Sequence, residues 1–202
     1  MRTWIAIALV ALVGCAALPK RSMRDDWPTI ADDYDRTTEA WTVKTSLRDE
    51  YQEVLEIAAV FRSPQWRASF ASRDAYFRKL EGPARDARMA QAKAEWAGPY
   101  EVELLVTTWD RRENDLDRGS KSGWRVVLVD EAGNEIKPLE IVKDKRPAFT
   151  VRADYAAYGD FATAYIARFP RDKQLFGEGV KRVRLRMSGS RGGIELTWTA
   201  QQ

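Results

Sequence analysis

The side chains available for chemistry in this chain are arginines, carboxylates and aromatics, because histidine is absent and cysteine occurs once. Without imidazole there is no histidine base, no histidine partner for a nucleophile and no histidine metal ligand. Arg182, Arg184 and Arg186 fall two apart in a strand-like stretch, so their guanidiniums share one face. Such a row can grip phosphates of lipid headgroups or an acidic partner. The alternative is ordinary pairing with outward acids of neighbouring strands, for which Glu101, Glu103 and Glu195 are available. The densest acidic cluster runs from Asp110 to Gly119. Its Asn114, Asp115, Asp117 and Gly119 match a calcium loop poorly, since the third alternating acid and the distant bidentate glutamate are missing. Arg111, Arg112 and Arg118 would also offset the ligand charge, and a solvated hairpin tip is the other reading. Tyr155, Tyr158, Phe161, Tyr165 and Phe169 suggest either a carbohydrate platform or, for the three on one strand face (Phe161, Tyr165, Phe169), core. No Gly-x-Ser-x-Gly elbow occurs, and no glycine-rich turn joins a strand to a phosphate-binding helix. Paired carboxylates for glycoside cleavage need no motif, so abundant acids do not discriminate. No cofactor and no metal are expected.

The lone cysteine has a particular setting. Arg2 begins a stretch in which Ile5 to Gly14 is an unbroken apolar and small-residue run, the layout of a secretory signal. That run is too short to cross a bilayer, which needs roughly 20 residues. Leu12, Val13, Gly14 and Cys15 close it, and this tetrad resembles the lipobox of bacterial lipoproteins. The resemblance implies that Cys15 is acylated on its thiol, that the chain is cut before it, and that the new amine is acylated as well. Ala16 stands where an aspartate often retains lipoproteins in the inner membrane, so the resemblance favours the outer membrane, facing the periplasm.

A cut before Cys15 leaves 188 of the 202 residues, enough for one well-packed domain. Hydrophobic residues at 45% and aromatics at 11% argue for a globular fold rather than disorder. Net charge is +3 over 33 basic and 30 acidic residues, a small excess that gives little support to a polyanionic partner; nucleic acid is not expected. If Cys15 carries lipid, no thiol remains for catalysis or for a disulfide, and the core alone must hold the domain.

Residues 15–33 read as a lipidated tether, with Trp27 packing back on the domain. Thr37 to Leu47 alternates, which predicts a strand containing Trp41. Leu47, Tyr51, Val54, Leu55, Ala58 and Phe61 recur at helical spacing, which predicts a helix. Ser63-Pro64 and Gly82-Pro83 predict two further helix starts, so a helical annex is expected over about 48–97. From Tyr100 onward strands are predicted at 100–106, 124–129, 135–142, 148–153, 161–169, 182–187 and 194–198, separated by turn residues.

These elements predict a mainly β, α+β fold: an antiparallel sandwich of seven to eight strands with a helical segment inserted after the first. Trp41, Leu104, Val126, Leu185 and Trp198 are expected in one core. The functional expectation is a lipid-anchored envelope protein, held to the membrane through Cys15, that acts by binding another envelope protein, by assembly or as a structural accessory, without catalysis. The rival is a carboxylate-based hydrolase of envelope or surface carbohydrate.

Overall fold

A computed structural model describes residues 17–201; the signal stretch and the tetrad ending in Cys15 lie outside the described residues. Helix α1 (Tyr34–Trp41) leads into strands β1 (Thr42–Asp49) and β2 (Gln52–Phe61), followed by helices α2 (Pro64–Phe77) and α3 (Gly82–Ala97). Then come β3 (Tyr100–Thr108), β4 (Trp124–Val129), β5 (Glu135–Ile136), β6 (Glu140–Lys143), α4 (Ala148–Asp154), β7 (Thr163–Phe169), β8 (Arg182–Gly189) and β9 (Gly192–Thr199). Two antiparallel sheets pack together, one ordered β1-β2-β3-β7-β6 and the other β5-β4-β8-β9, with α2 and α3 inserted after the first strands.

Period-two burial builds the core between the sheets. Val102, Leu104 and Val106 of β3 point inward in register with Ala167, Tyr165 and Thr163 of β7. Val183, Leu185 and Met187 of β8 face them from the other sheet, with Val126 and Leu128 of β4 beside them. Trp198 of β9 meets Phe61 edge-on at 5.4 Å, and its indole N–H donates to the Trp41 carbonyl at 2.8 Å. All five expected core residues are buried. At Gly189, where β4 and β8 close together, a Cβ would lie 2.8 Å from the Gly123 carbonyl oxygen, so only glycine fits.

Four expected elements differ. The helix expected over 47–61 is strand β2, held between β1 and β3 and buried on both faces from Ile57 to Phe61. A strand covered on both sides is a continuous apolar run, which helical spacing also fits. The first strand starts at Thr42; the residues before it form α1, whose Asp33 cap accepts from the Arg36 N–H at 3.0 Å. Residues 148–153 are helix α4, which begins after Pro147. The stretch 135–142 is broken at Lys137-Pro138-Leu139, and β5 joins one sheet while β6 joins the other. Nine strands result among the described residues, and the helical annex shrinks to α2 and α3. Ser63 caps α2 as expected, accepting from the Trp66 N–H at 3.2 Å.

Residues 17–33, expected as a tether, carry no helix or strand but lie on the domain. Met23 is buried, and its carbonyl accepts from Gly177 N–H at 2.7 Å. Asp25 accepts from the Trp96 indole at 3.0 Å and pairs with Arg171 at 2.5 Å. Trp27 packs half-buried against the core, as expected.

Replacing Trp198 tests the sheet-to-sheet contact. Truncating a fully buried tryptophan costs about 3–5 kcal/mol, and here the Trp41 carbonyl also loses its donor. Trp198→Ala should lower the melting temperature by roughly 10 °C, measured by circular dichroism. A near-neutral change would place β9 outside the core.

Candidate functional site

The arginine row lies on the outer face of the four-stranded sheet, and each member meets a carboxylate there. Arg186 pairs with Glu135 at 3.2 Å and Glu195 at 3.1 Å. Arg184 reaches Glu195 at 3.5 Å, and Arg182 reaches Glu131 at 3.8 Å. Val127 and Val129 lie beside Arg186 and Arg184 in the register and are buried although they face outward. That burial is what aliphatic arginine stems laid over a sheet produce. Of the acids expected to pair with the row, only Glu195 does so; Glu101 and Glu103 belong to the other sheet.

The loop 110–119 binds its own oxygens. Asp110 caps the turn at Arg111–Glu113 and pairs with Arg112 at 2.7 Å. Asp115 accepts from Ser122 at 2.9 Å, and Asp117 reaches Lys143 at 3.5 Å. Asn114 donates to the Val106 carbonyl at 2.8 Å and accepts from the Tyr165 hydroxyl at 2.8 Å, which ties the loop to the sheet. Among the described residues no group of acids is placed to hold a metal ion.

A charged network that sequence reasoning missed lies on the outer face of the five-stranded sheet, beneath α2. Odd positions of β3 point there, so Glu101 and Glu103 enter from the sheet while Arg67 and Arg73 come down from the helix. Arg62, at the end of β2, donates to Glu101 at 2.8 Å and Glu103 at 2.5 Å, with its guanidinium 5.6 Å from the Trp66 ring centre. Arg67 links Glu101 at 2.9 Å to Glu95 of α3 at 3.0 Å. Arg168 of β7 links Glu101 at 2.9 Å to Glu140 of β6 at 2.5 Å. Arg146 joins Asp144 and Asp154, both at 2.6 Å, and Arg73 closes on Asp154 at 2.8 Å. A cavity of about 320 Å³ is lined by Arg62, Arg67, Glu95, Asp144 and Arg146, with Trp66, Phe70 and Ile166 as its apolar walls.

The two glutamates titrate in opposite senses. Burial pushes the Glu103 carboxyl up to about 7, with the adjacent Asp144 carboxylate adding to the shift and Arg62 opposing it. Burial also works to raise Glu101, but Arg62, Arg168 and Arg67 outweigh it and hold this carboxyl at about 2. Asp144 is lowered, because its contacts with Arg146 exceed the effect of burial. Glu103 has no exposed side-chain surface, and its Oε1 and the Tyr155 hydroxyl have no partner. A proton on Glu103 supplies the bond to Asp144 that two ionised carboxylates lack.

A polar cleft with exposed aromatics opens at the far end of the five-stranded sheet, lined by residues of both its faces. It measures about 710 Å³ and is lined by Glu56, Thr107, Trp109, Arg111 and Phe161 among others. Trp109 and Phe161 are 69% and 72% exposed. Phe161 was expected in a strand face with Tyr165 and Phe169; instead β7 starts two residues later, and only the latter two are buried. Tyr155 is buried as well and Tyr158 half-buried. The expected platform of five aromatics is therefore not assembled.

Two predictions follow from the charges. With every guanidinium of the row already paired, replacing Arg182, Arg184 and Arg186 together by Gln should lower the urea midpoint slightly and leave association with anionic vesicles unchanged. Salt-sensitive vesicle binding that disappears in the triple variant would show that the row reaches an anionic partner. For Glu103 the folded carboxyl holds its proton more tightly than the unfolded one, whose ordinary value is 4.5. Its effect is therefore absent below 4.5, and stability falls as pH rises from 4.5 to about 7, then levels. The shift corresponds to about 3 kcal/mol. Glu101 works the other way, its stabilisation present above 4.5 and lost as pH falls through about 2. No histidine titrates in the 4.5–7 window, so Glu103→Gln should flatten that limb of the melting temperature against pH. A limb of equal slope in the variant would remove the assignment.

No family model, curated protein or solved structure matches the chain.

Proposed function

We propose that the chain is a lipid-anchored cell-envelope protein that acts by contact, as a binding, assembly or structural accessory, and not by catalysis. The observation that carries this reading is how the charged side chains are used. The arginine row is tied to acids of its own sheet, and the acids under α2 are tied to five arginines, Arg62, Arg67, Arg73, Arg146 and Arg168. A carboxylate hydrolase needs its acid and base open to substrate, whereas Glu103 has no exposed side-chain surface.

Attachment through lipid at Cys15 fits the start of the described chain. The Ala17 carbonyl already accepts from the Arg36 guanidinium at the domain surface. Two residues span at most about 7 Å, so an acylated Cys15 holds the domain directly against the membrane surface. The side facing the lipid is then the one where Leu18, Arg36, Lys44 and Arg152 line a groove of about 610 Å³ between α1 and the end of α4. Contact with other envelope components takes place on the surfaces turned away from it.

The anchor is tested by Cys15→Ser, which should leave unprocessed precursor and abolish incorporation of labelled fatty acid; unchanged labelling would remove the lipoprotein reading. Mode of action is tested by a photo-crosslinking residue at position 109 in intact cells, expected to capture a discrete envelope component. Crosslinks no richer than those from a position on the arginine row would count against contact at that cleft.

A further inference from the structure

The cleft between Trp109 and Phe161 has a composition that selects its ligand. Two large aromatic side chains at 69% and 72% exposure line one depression, and the fold has left both uncovered. Trp109 arrives from the β2 side, where its N–H donates to the Val54 carbonyl at 3.1 Å. Phe161 arrives from the β7 side of the same strand end, with the Arg111 guanidinium 5.8 Å from its ring centre. The floor is made at the ends of β2, β3 and β7 by Leu55, Glu56, Thr107, Thr108 and Thr163, with Glu56 opposite Thr107 in the register. These are interior strands, and their backbone groups are engaged in the ladders. An added peptide strand therefore finds no edge here, and recognition falls to side chains.

Those side chains offer little net field. Glu53 pairs with Arg48, Lys143 with Asp117 and Asp160 with Arg152, so carboxylates and cations on the rim largely offset each other. That balance disfavours a phosphate or polyacid and suits a neutral ligand rich in hydroxyl and amide groups. Sugar rings meet both demands: their C–H faces stack on indole and phenyl, and their hydroxyls bond carboxylates, guanidinium and threonine together. The volume of about 710 Å³ lies in the range of small-ligand sites, and an open groove lets a polymer continue beyond it.

The site is also pre-formed. Asn114 donates to the Val106 carbonyl at 2.8 Å and to the Thr163 hydroxyl at 3.2 Å, clamping the end of β3 to the start of β7. The Thr108 hydroxyl donates to the Asp110 carbonyl at 2.8 Å across the Trp109 backbone. The strand ends that carry the cleft are thereby fixed before any ligand arrives, which lowers the ordering cost of binding.

We infer that this cleft binds a linear, neutral glycan of N-acetylhexosamines, its rings stacked on Trp109 and Phe161. The polymer class rests on the envelope placement argued above; the stacking rests on the cleft alone. The test is titration of the purified full chain, in detergent micelles, with the β-1,4-linked N-acetylglucosamine tetramer and hexamer, both of them neutral. Calorimetry and tryptophan fluorescence should both report binding. Trp109→Ala and Phe161→Ala should each weaken it roughly tenfold, a loss of about 1.4 kcal/mol, with melting temperatures unchanged because both side chains are exposed. No binding of either glycan at millimolar concentration, or binding that both variants leave intact, would overturn the proposal. Binding of a proline-rich peptide at the same two residues in place of the glycans would overturn it too. Release of new reducing ends on long incubation would uphold the site while ending the non-catalytic reading, and fatty-acid labelling judges the anchor separately.

Discussion

The bond on which much of this architecture depends is the one between the Arg62 guanidinium and the Glu103 carboxyl, 2.5 Å apart beneath α2. A carboxyl taken wholly out of water costs several kcal/mol unless a cation or a proton accompanies it. Here both are supplied: Arg62 donates to it, and burial beside Asp144 keeps a proton on it up to about pH 7. Each neighbouring arginine then draws in another element. Arg67 connects α2 to α3 through Glu95, Arg168 connects β7 to β6 through Glu140, and Arg146 connects the loop after β6 to the end of α4 through Asp154. Such a cluster adds less to net stability than an apolar contact of equal size, but it is intolerant of wrong neighbours. Its contribution is to register, placing helix and loop at one position on the sheet.

The opposite face of that sheet is held by apolar surface. Phe61 meets Phe176 at 5.0 Å and Trp198 at 5.4 Å, and Trp96 of α3 meets Phe176 at 5.0 Å. Phe176 belongs to the irregular segment between β7 and β8, so a loop side chain fills the centre of the aromatic core. The strap at 17–33 completes this end, with Met23 bonded to Gly177 and Asp25 bridging Trp96 and Arg171. With one cysteine in the sequence no disulfide can form within the chain, and this aromatic packing does what disulfides do in small secreted domains.

Much of the fold was legible because alternation survives wherever one face is buried. β3 shows it from Tyr100 to Leu104, and β8 and β9 show it along most of their length, with the outward arginine row on β8 as its other phase. β2 hid because both its faces are covered, leaving an apolar run without a period of its own. The break at Pro138 was visible as a residue, but not that the two halves part to different sheets, since that depends on partners distant in the chain. The buried network was illegible for the same reason. Glu101 and Glu103 read as outward-facing acids in local sequence, and only the return of α2 over β3 encloses them. Phe161 was misplaced by two residues of strand boundary, which moved it from an expected core face to an open rim.

The five-stranded sheet is thus treated in two ways along its length. At the Glu103 end it is closed by a helix and neutralised charge; at the Thr107 end it stays open between aromatic rings. The two ends share β2, β3 and β7, and the register that sets Glu103 against Val60 and Ile166 also sets Thr107 against Glu56. A slip of one residue would turn Glu103 into the apolar core and carry Thr107 to the other face with it. The cost of placing that carboxyl between the sheets forbids the slip. Buried charge at one end therefore fixes the geometry of the open cleft at the other, although none of its side chains lines that cleft.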